Sequence, residues 1–451
     1  GCGSGADMRL ARRILEDHRR LARDRPLPGS QVIRLALFSP TSAATGTQQI
    51  EWDSRAYRET ISSGGATTVR GIQGGKAYFT DEDGVTRVVS EPVLAELVTR
   101  SYFWRRAYLF EDAERAKIAL GPADAIRVSL RMKPREGNPL TLTFDRRDLR
   151  LLSARSPGLD LEFESPTRWR DASRRGAPVR VEHRRTGLPT GILPDAAAGG
   201  WSAVWRQPIA EAPLVGPRPE EVAVRATVAG QALVLAIDAA ADGPIRIRPA
   251  AAARLGLTFS EDVFGRRLAR GARLAIADWS EPSVFVEISD DVPPGAEGAL
   301  GAALFRETTV EYDAAGRRLR LLDPARWVRP EGYFRSVIDD DGDRPVAILT
   351  KGREALRVLA GASAATALTL APESALRVGL APGARTAEGF RWGPAPLPSI
   401  DLDRKEALFD PSRGDDGRLS ARFLLRFQAI IDMPHRWAYL KPETGAPANG
   451  L

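Results

Sequence analysis

Apolar residues recur along this chain with two different periods. In residues 8–22, Leu10, Ile14, Leu15 and Leu21 fall at near-helical spacing among charges, which predicts one amphipathic helix. Beyond it the period drops to two. Ile126, Val128, Leu130 and Met132 alternate with Arg127, Ser129 and Arg131, and Leu140, Leu142 and Phe144 alternate with Thr141 and Thr143. Leu159, Leu161 and Phe163 alternate with Asp160, Glu162 and Glu164. Strands with one apolar and one wet face predict an antiparallel sheet. Gly64-Gly65, Gly74-Gly75 and Asp83-Gly84 are turn signals between earlier strands. Residues 8–190 are therefore expected to form one antiparallel β domain with an opening helix.

Residues 191–221 are rich in Pro, Ala and Gly, with Trp201 and Trp205 embedded, and are expected to be a linker. A second linker is expected at 329–344, which contains the acidic run Asp339-Asp340-Asp341-Gly342-Asp343. That run resembles the middle of a calcium loop, but Val337 stands where the first carboxylate should be and no closing glutamate follows.

The two remaining segments, 222–328 and 345–441, repeat one pattern. Gly230 aligns with Gly352 and Ile237-Asp238 with Leu359-Ala360. After a one-residue slip, Ile245 and Ile247 align with Leu368 and Leu370, and Leu255-Gly256-Leu257 aligns with Val378-Gly379-Leu380. Each segment has a strand, a glycine turn, an apolar strand ending in a small-residue loop, and a helix end such as Ala252-Ala253-Arg254-Leu255-Gly256-Leu257. Gly298-Ala299-Leu300-Gly301-Ala302-Ala303-Leu304-Phe305 follows. In order and spacing each segment resembles a bacterial retropepsin-like (clan AA) aspartic protease. The resemblance implies a mainly β chain ending in two pepsin/retropepsin-like closed β lobes.

That chemistry requires two carboxylates close enough to share one proton, one activating water and the other protonating the substrate. The first loop, Asp238-Ala239-Ala240-Ala241-Asp242, keeps an acid but lacks the family's Thr and Gly. The second, Ala360-Gly361-Ala362-Ser363, has Ala360 at the aligned position, and no Asp or Glu lies between Glu354 and Glu373. Asp238 is the candidate catalytic residue, a lone acid. The expectation is a degenerate peptidase that binds without cutting, the alternative being an active endopeptidase using Asp238.

Segments such as Gly74-Gly75-Lys76-Ala77-Tyr78-Phe79 and Leu140-Thr141-Leu142-Thr143-Phe144-Asp145 resemble outer-membrane lipoprotein-carrier (Lol-type) domains. The resemblance implies a curved sheet around an apolar cavity. Trp52, Tyr57, Tyr102, Phe103 and Trp104 are candidates to line it, and a lipid or acyl carrier working through residues 30–190 is a second alternative.

Composition adds limits. The net charge of +7 is spread over interspersed residues, with no basic block or aromatic–basic ladder for nucleic acid. No apolar run approaches the ~18–20 residues of a membrane span. His18, His183 and His435 have no zinc spacing, and neither a metal nor a cofactor is expected. The single cysteine, in Gly1-Cys2-Gly3-Ser4-Gly5, resembles the lipid-attachment site of a bacterial lipoprotein. Cys2 is the candidate membrane contact. The expected place is the bacterial cell envelope, periplasmic or anchored to the outer membrane, and the expected partner is a peptide, an envelope protein or a lipid ligand.

Overall fold

The computed structural model describes residues 5–21, 29–89, 91–109, 116–174, 177–188, 193, 204–216, 221–239, 241, 245–305, 308–341, 344–405 and 415–441. The fold is mainly β, and the chain divides into two compact units. The first is Gly1–Ala198 with Glu261–Arg266; the second is Gly199–Ser260 with Arg267–Leu451. Cys2 and Trp201 lie outside the described residues.

Among the described residues of the first unit, thirteen strands form one antiparallel sheet. The early strands meander outward from Gln31–Phe38 to an edge at Thr86–Val88. The late ones run from the other edge, Lys117–Ala123, back to Val179–Gly187, which pairs with Gln31–Phe38. The alternation read from the sequence is realised over Leu140–Asp145, whereas Ile126 is 63% exposed just before the strand Arg127–Lys133 and Ser129 on that strand is buried. Leu140, Leu142 and Phe144 are fully buried, while Thr141 and Thr143 are half-buried. Gly64-Gly65 and Gly74-Gly75 adopt positive φ in two-residue hairpin turns, the conformation that matches strand twist. The opening helix spans Gly5–Leu21 and buries Ala11, Ile14, Leu15 and His18. A second helix, Glu91–Trp104, was not foreseen, and Leu97 and Arg100 on it are fully buried.

A charged cluster fixes that helix to the sheet. Glu59, 1% exposed, accepts from Arg100 Nε at 2.6 Å and Nη2 at 3.0 Å, from Arg70 Nη2 at 3.0 Å, and from Tyr57 Oη at 2.5 Å. Arg100 also donates to the Gly158 carbonyl at 2.8 Å, and Arg70 to Glu96 at 3.1 Å. Burial alone would raise the Glu59 pKa, but the Arg100 and Arg70 guanidinium groups hold it well below the usual carboxylate range.

In the second unit, Trp279–Ile288, Ile245–Ile247, Gly298–Leu300, Gln231–Ile237, Ala223–Val228 and Arg267–Ile276 close into a barrel. The second segment repeats its pairings. Arg344–Lys351 is antiparallel to Glu354–Ala362, as Ala223–Val228 is to Gln231–Ile237. Gly417–Ser420 is parallel to Glu354–Ala362, as Gly298–Leu300 is to Gln231–Ile237. Leu368–Leu370 lies between Gly417–Ser420 and Ile400–Arg404, as Ile245–Ile247 lies between Gly298–Leu300 and Trp279–Ile288. Among the described residues no pairing closes this second copy, because its outer strand breaks between Pro396 and Ile400.

A carboxylate clamp repeats as well. Glu297 accepts from the Val234 amide and from Arg254, and Asp416 accepts from the Arg357 amide, from Arg377 and from Ser374. The two copies join where Val310 pairs with Ile431 in adjacent hairpins.

The expected linkers are partly strand. Ile209–Pro213 pairs with Arg318–Leu322, and Phe334–Asp341 pairs with Trp437–Leu440 and Arg344–Lys351. Asp339 and Asp340 are tied down by Arg357 and Arg436 respectively, so this part of the acidic run belongs to the sheet, while Gly342 and Asp343 lie outside the described residues.

Glu59→Gln should cost about 3–5 kcal/mol at neutral pH, as expected when one partner of a buried pair is lost. Because the folded Glu59 pKa is depressed, its contribution is present above the unfolded value of about 4.3 and is lost as pH falls towards the folded one. Urea melts should show the gap between wild type and variant narrowing below about pH 4; a gap independent of pH would contradict this account.

Candidate functional site

The strand Gln231–Ile237 runs into the first loop, and Glu354–Ala362 carries the second. The register between the copies runs without a slip. The hairpin turn between Val228 and Gln231 matches that between Lys351 and Glu354. Ile245 and Ile247 match Leu368 and Leu370, and Pro249 at the start of one helix matches Pro372 at the start of the other. Ile237 pairs with Leu300 as Ala360 pairs with Leu419. The residue matching Asp238 is therefore Gly361, not Ala360. Ala360 is fully buried within its strand.

The two loops cross in contact. The Ala239 amide donates to the Gly361 carbonyl at 2.9 Å. In return, the Ser363 amide donates to Asp238 Oδ1 at 2.9 Å. The Asp238 amide itself donates to the Leu300 carbonyl at 3.0 Å, anchoring the loop to its own barrel. Asp238 is half-buried and Ser363 exposed, so the crossing is open to solvent on one side.

Small residues permit this approach. Gly361 has φ +93°, and a Cβ there would lie 3.0 Å from Ala239 Cβ and 3.1 Å from Tyr312 Oη. Tyr312 is fully buried, and its hydroxyl makes no hydrogen bond to a described group. Burial pushes its pKa upward, and the Asp238 charge adds to the shift. The sequence did not single out Tyr312. Its signal was the aromatic in Val310-Glu311-Tyr312-Asp313, close behind the Gly-Ala-Leu-Gly segment.

Chemically, the crossing offers one carboxylate, a backbone amide and a hydroxyl. From Glu354 to Glu373 the second segment contains no other acid, so its loop supplies no second carboxylate beside Asp238. The histidines lie apart. His18 Nδ1 contacts the Leu149 carbonyl, His183 Nε2 contacts Thr186, and His435 Nδ1 contacts the buried Asp432. Among the described residues no group of three side chains is placed to hold a metal, and no helix is long and apolar enough to cross a membrane.

In the first unit, one cavity on the sheet measures about 10 Å³, room for a single water. Leu37, Ile61, Val179, Val181 and Phe264 line it together with Arg70 and Arg174. Trp52, Tyr57, Tyr102, Phe103 and Trp104 do not line it; they pack into the core, with the Phe103 and Trp104 rings 5.2 Å apart.

No protein-family profile matches the chain, and no curated protein matches it. Among solved structures, a LolA-superfamily protein from Nitrosomonas europaea is 14% identical over 42% of this chain and 97% of its own, with a TM-score of 0.29. A DUF1329-family protein from Desulfovibrio piger is 13% identical over 41% of this chain and 95% of its own, with a TM-score of 0.27. MucB of Pseudomonas aeruginosa, in complex with MucA, is 14% identical over 64% of this chain and 95% of its own, with a TM-score of 0.19. The retropepsin-like resemblance of 222–441 rests on the sequence.

Gly361→Ala should destabilise the second unit by about 1–3 kcal/mol, since it forces a side chain into positive φ against close neighbours. Gly352→Ala, at φ +61° with nothing within 4 Å, should cost less, about 1 kcal/mol. Chemical denaturation of the two variants checks this, and equal losses would show that the loop crossing is not tightly packed.

Proposed function

We propose that this chain is a binding protein of the bacterial cell envelope whose retropepsin-like half has lost catalysis. The observation that carries this reading is the loop crossing. Asp238 faces a loop with Gly361 at the matching position, and its carboxylate accepts the Ser363 amide. Acid catalysis by a carboxylate pair depends on two groups that cannot both ionise comfortably, which leaves a proton on one of them. With Gly361 at the matching position, the facing loop offers Asp238 no second carboxylate with which to share a proton. The groups left at the crossing bind: an anionic acceptor, and the exposed residue Ser363 whose amide meets it.

The ligand class that fits is a peptide or a protein segment, met by backbone hydrogen bonds and small side chains. The envelope location rests on the lipoprotein-like setting of Cys2. Cys2→Ser should release the native protein from membranes, and a variant that still sediments with membranes would oppose this part of the reading.

The catalytic half of the proposal is tested by incubating a denatured protein mixture with wild type and with Asp238→Asn from pH 3 to pH 8. Neither should cut. Cleavage by wild type that disappears in the Asn variant would make the chain a working endopeptidase.

A further inference from the structure

Residues 261–266 belong to the first compact unit, although the chain on either side of them belongs to the second. Val263 is 1% exposed and sits in the core of the first unit, where its amide donates to Ser63 Oγ at 2.9 Å. Phe264 packs against the same core, and the Arg174 guanidinium carbon lies 4.4 Å from the centre of its ring. Asp262 folds the segment. Its carboxylate accepts the Phe264 and Arg266 amides at 2.9 Å each and Arg266 Nε at 2.8 Å. Arg266 then reaches Glu82 at 2.8 Å. Gly64 lets the backbones meet, since a Cβ there would fall 2.9 Å from that of Asp262. Beneath Phe264 lies the small cavity walled by Leu37, Ile61, Val179 and Val181.

The segment is therefore a guest in a groove made by the first unit. Among the described contacts it is held by the buried Val263, the Phe264 ring beneath Arg174, the bond to Ser63, the close approach of Asp262 to Gly64 and the Arg266–Glu82 ion pair, whereas the surrounding strands are laddered to their neighbours. We propose that Asp262–Arg266 is an internal occupant of a peptide-binding groove, displaced by a second chain that carries the same chemistry. That chemistry is read from the host: a β-branched side chain beside Ser63, an aromatic ring beneath Arg174, and a following arginine to meet Glu82. The inference rests on the binding reading above and names its ligand class, but it does not involve Asp238, so its failure leaves the cleavage result untouched.

The probe is a fluorescein-labelled peptide with the sequence of residues 260–267, SEDVFGRR, titrated into the full chain. The double variant Val263→Ser, Phe264→Ser should empty the groove and bind the peptide at least about tenfold more tightly than wild type, because the internal competitor is removed. Adding Arg174→Ala and Glu82→Ala to that variant should weaken binding about tenfold or more. In wild type, excess unlabelled peptide should speed hydrogen exchange at the Val263 amide. This measurement stands alone if the double variant does not fold. A folded double variant that binds no better than wild type overturns the proposal. So does unchanged exchange at Val263, or uptake of oleate in place of the peptide.

Discussion

Everything in the second unit turns on how closely two small-residue loops approach. Ala239 and Gly361 meet backbone to backbone, and the bond between them ties one copy of the repeat to the other. The same contact crowds any side chain at Gly361. A carboxylate there would need a Cβ inside the space of Ala239 and Tyr312, at a positive φ that side chains rarely adopt. The packing that joins the copies thus disfavours any side chain at Gly361, and the Asp238 carboxylate is tied into the joint by the Ser363 amide.

The first unit solves a different problem. A wide sheet must hold a crossing helix at one angle, and apolar packing alone allows neighbouring registers. Glu59 on a strand, with Arg100 on the helix reaching on to Gly158, accepts only one placement. Desolvating these charges is costly, which offsets much of what their pairing contributes, while removal of either partner would leave the other buried and unpaired. The buried Tyr57 hydroxyl and Arg70 complete the set, leaving Glu59 fully engaged.

What the sequence disclosed follows physical lines. The opening helix and the alternating strands were legible because each has one wet face. The helix Glu91–Trp104 was not, because Glu96, Thr99 and Arg100 are buried polar residues and erase the apolar stripe that would have marked it. The repeat was legible in its glycines and apolar positions but misaligned by one residue at the loops. The hairpin turns hold Ala229-Gly230 in one copy and Gly352-Arg353 in the other, so matching glycine to glycine shifts the register and points to Ala360. The acidic run at 339–341 looked like a linker because its partners, Arg357 and Arg436, are distant in sequence. No local pattern announced that Val263 would be buried in the first unit; a short apolar pair between charged residues reads as an ordinary loop.

The most direct test of the central claim is calorimetric titration of the intact chain with pepstatin at acid pH. The inhibitor's central hydroxyl is held by a carboxylate pair sharing a proton. With Asp238 facing Gly361, no binding heat is expected for wild type or for Asp238→Asn. Tight stoichiometric binding by wild type that is abolished in Asp238→Asn would show that a second acid completes the site, and would contradict the account.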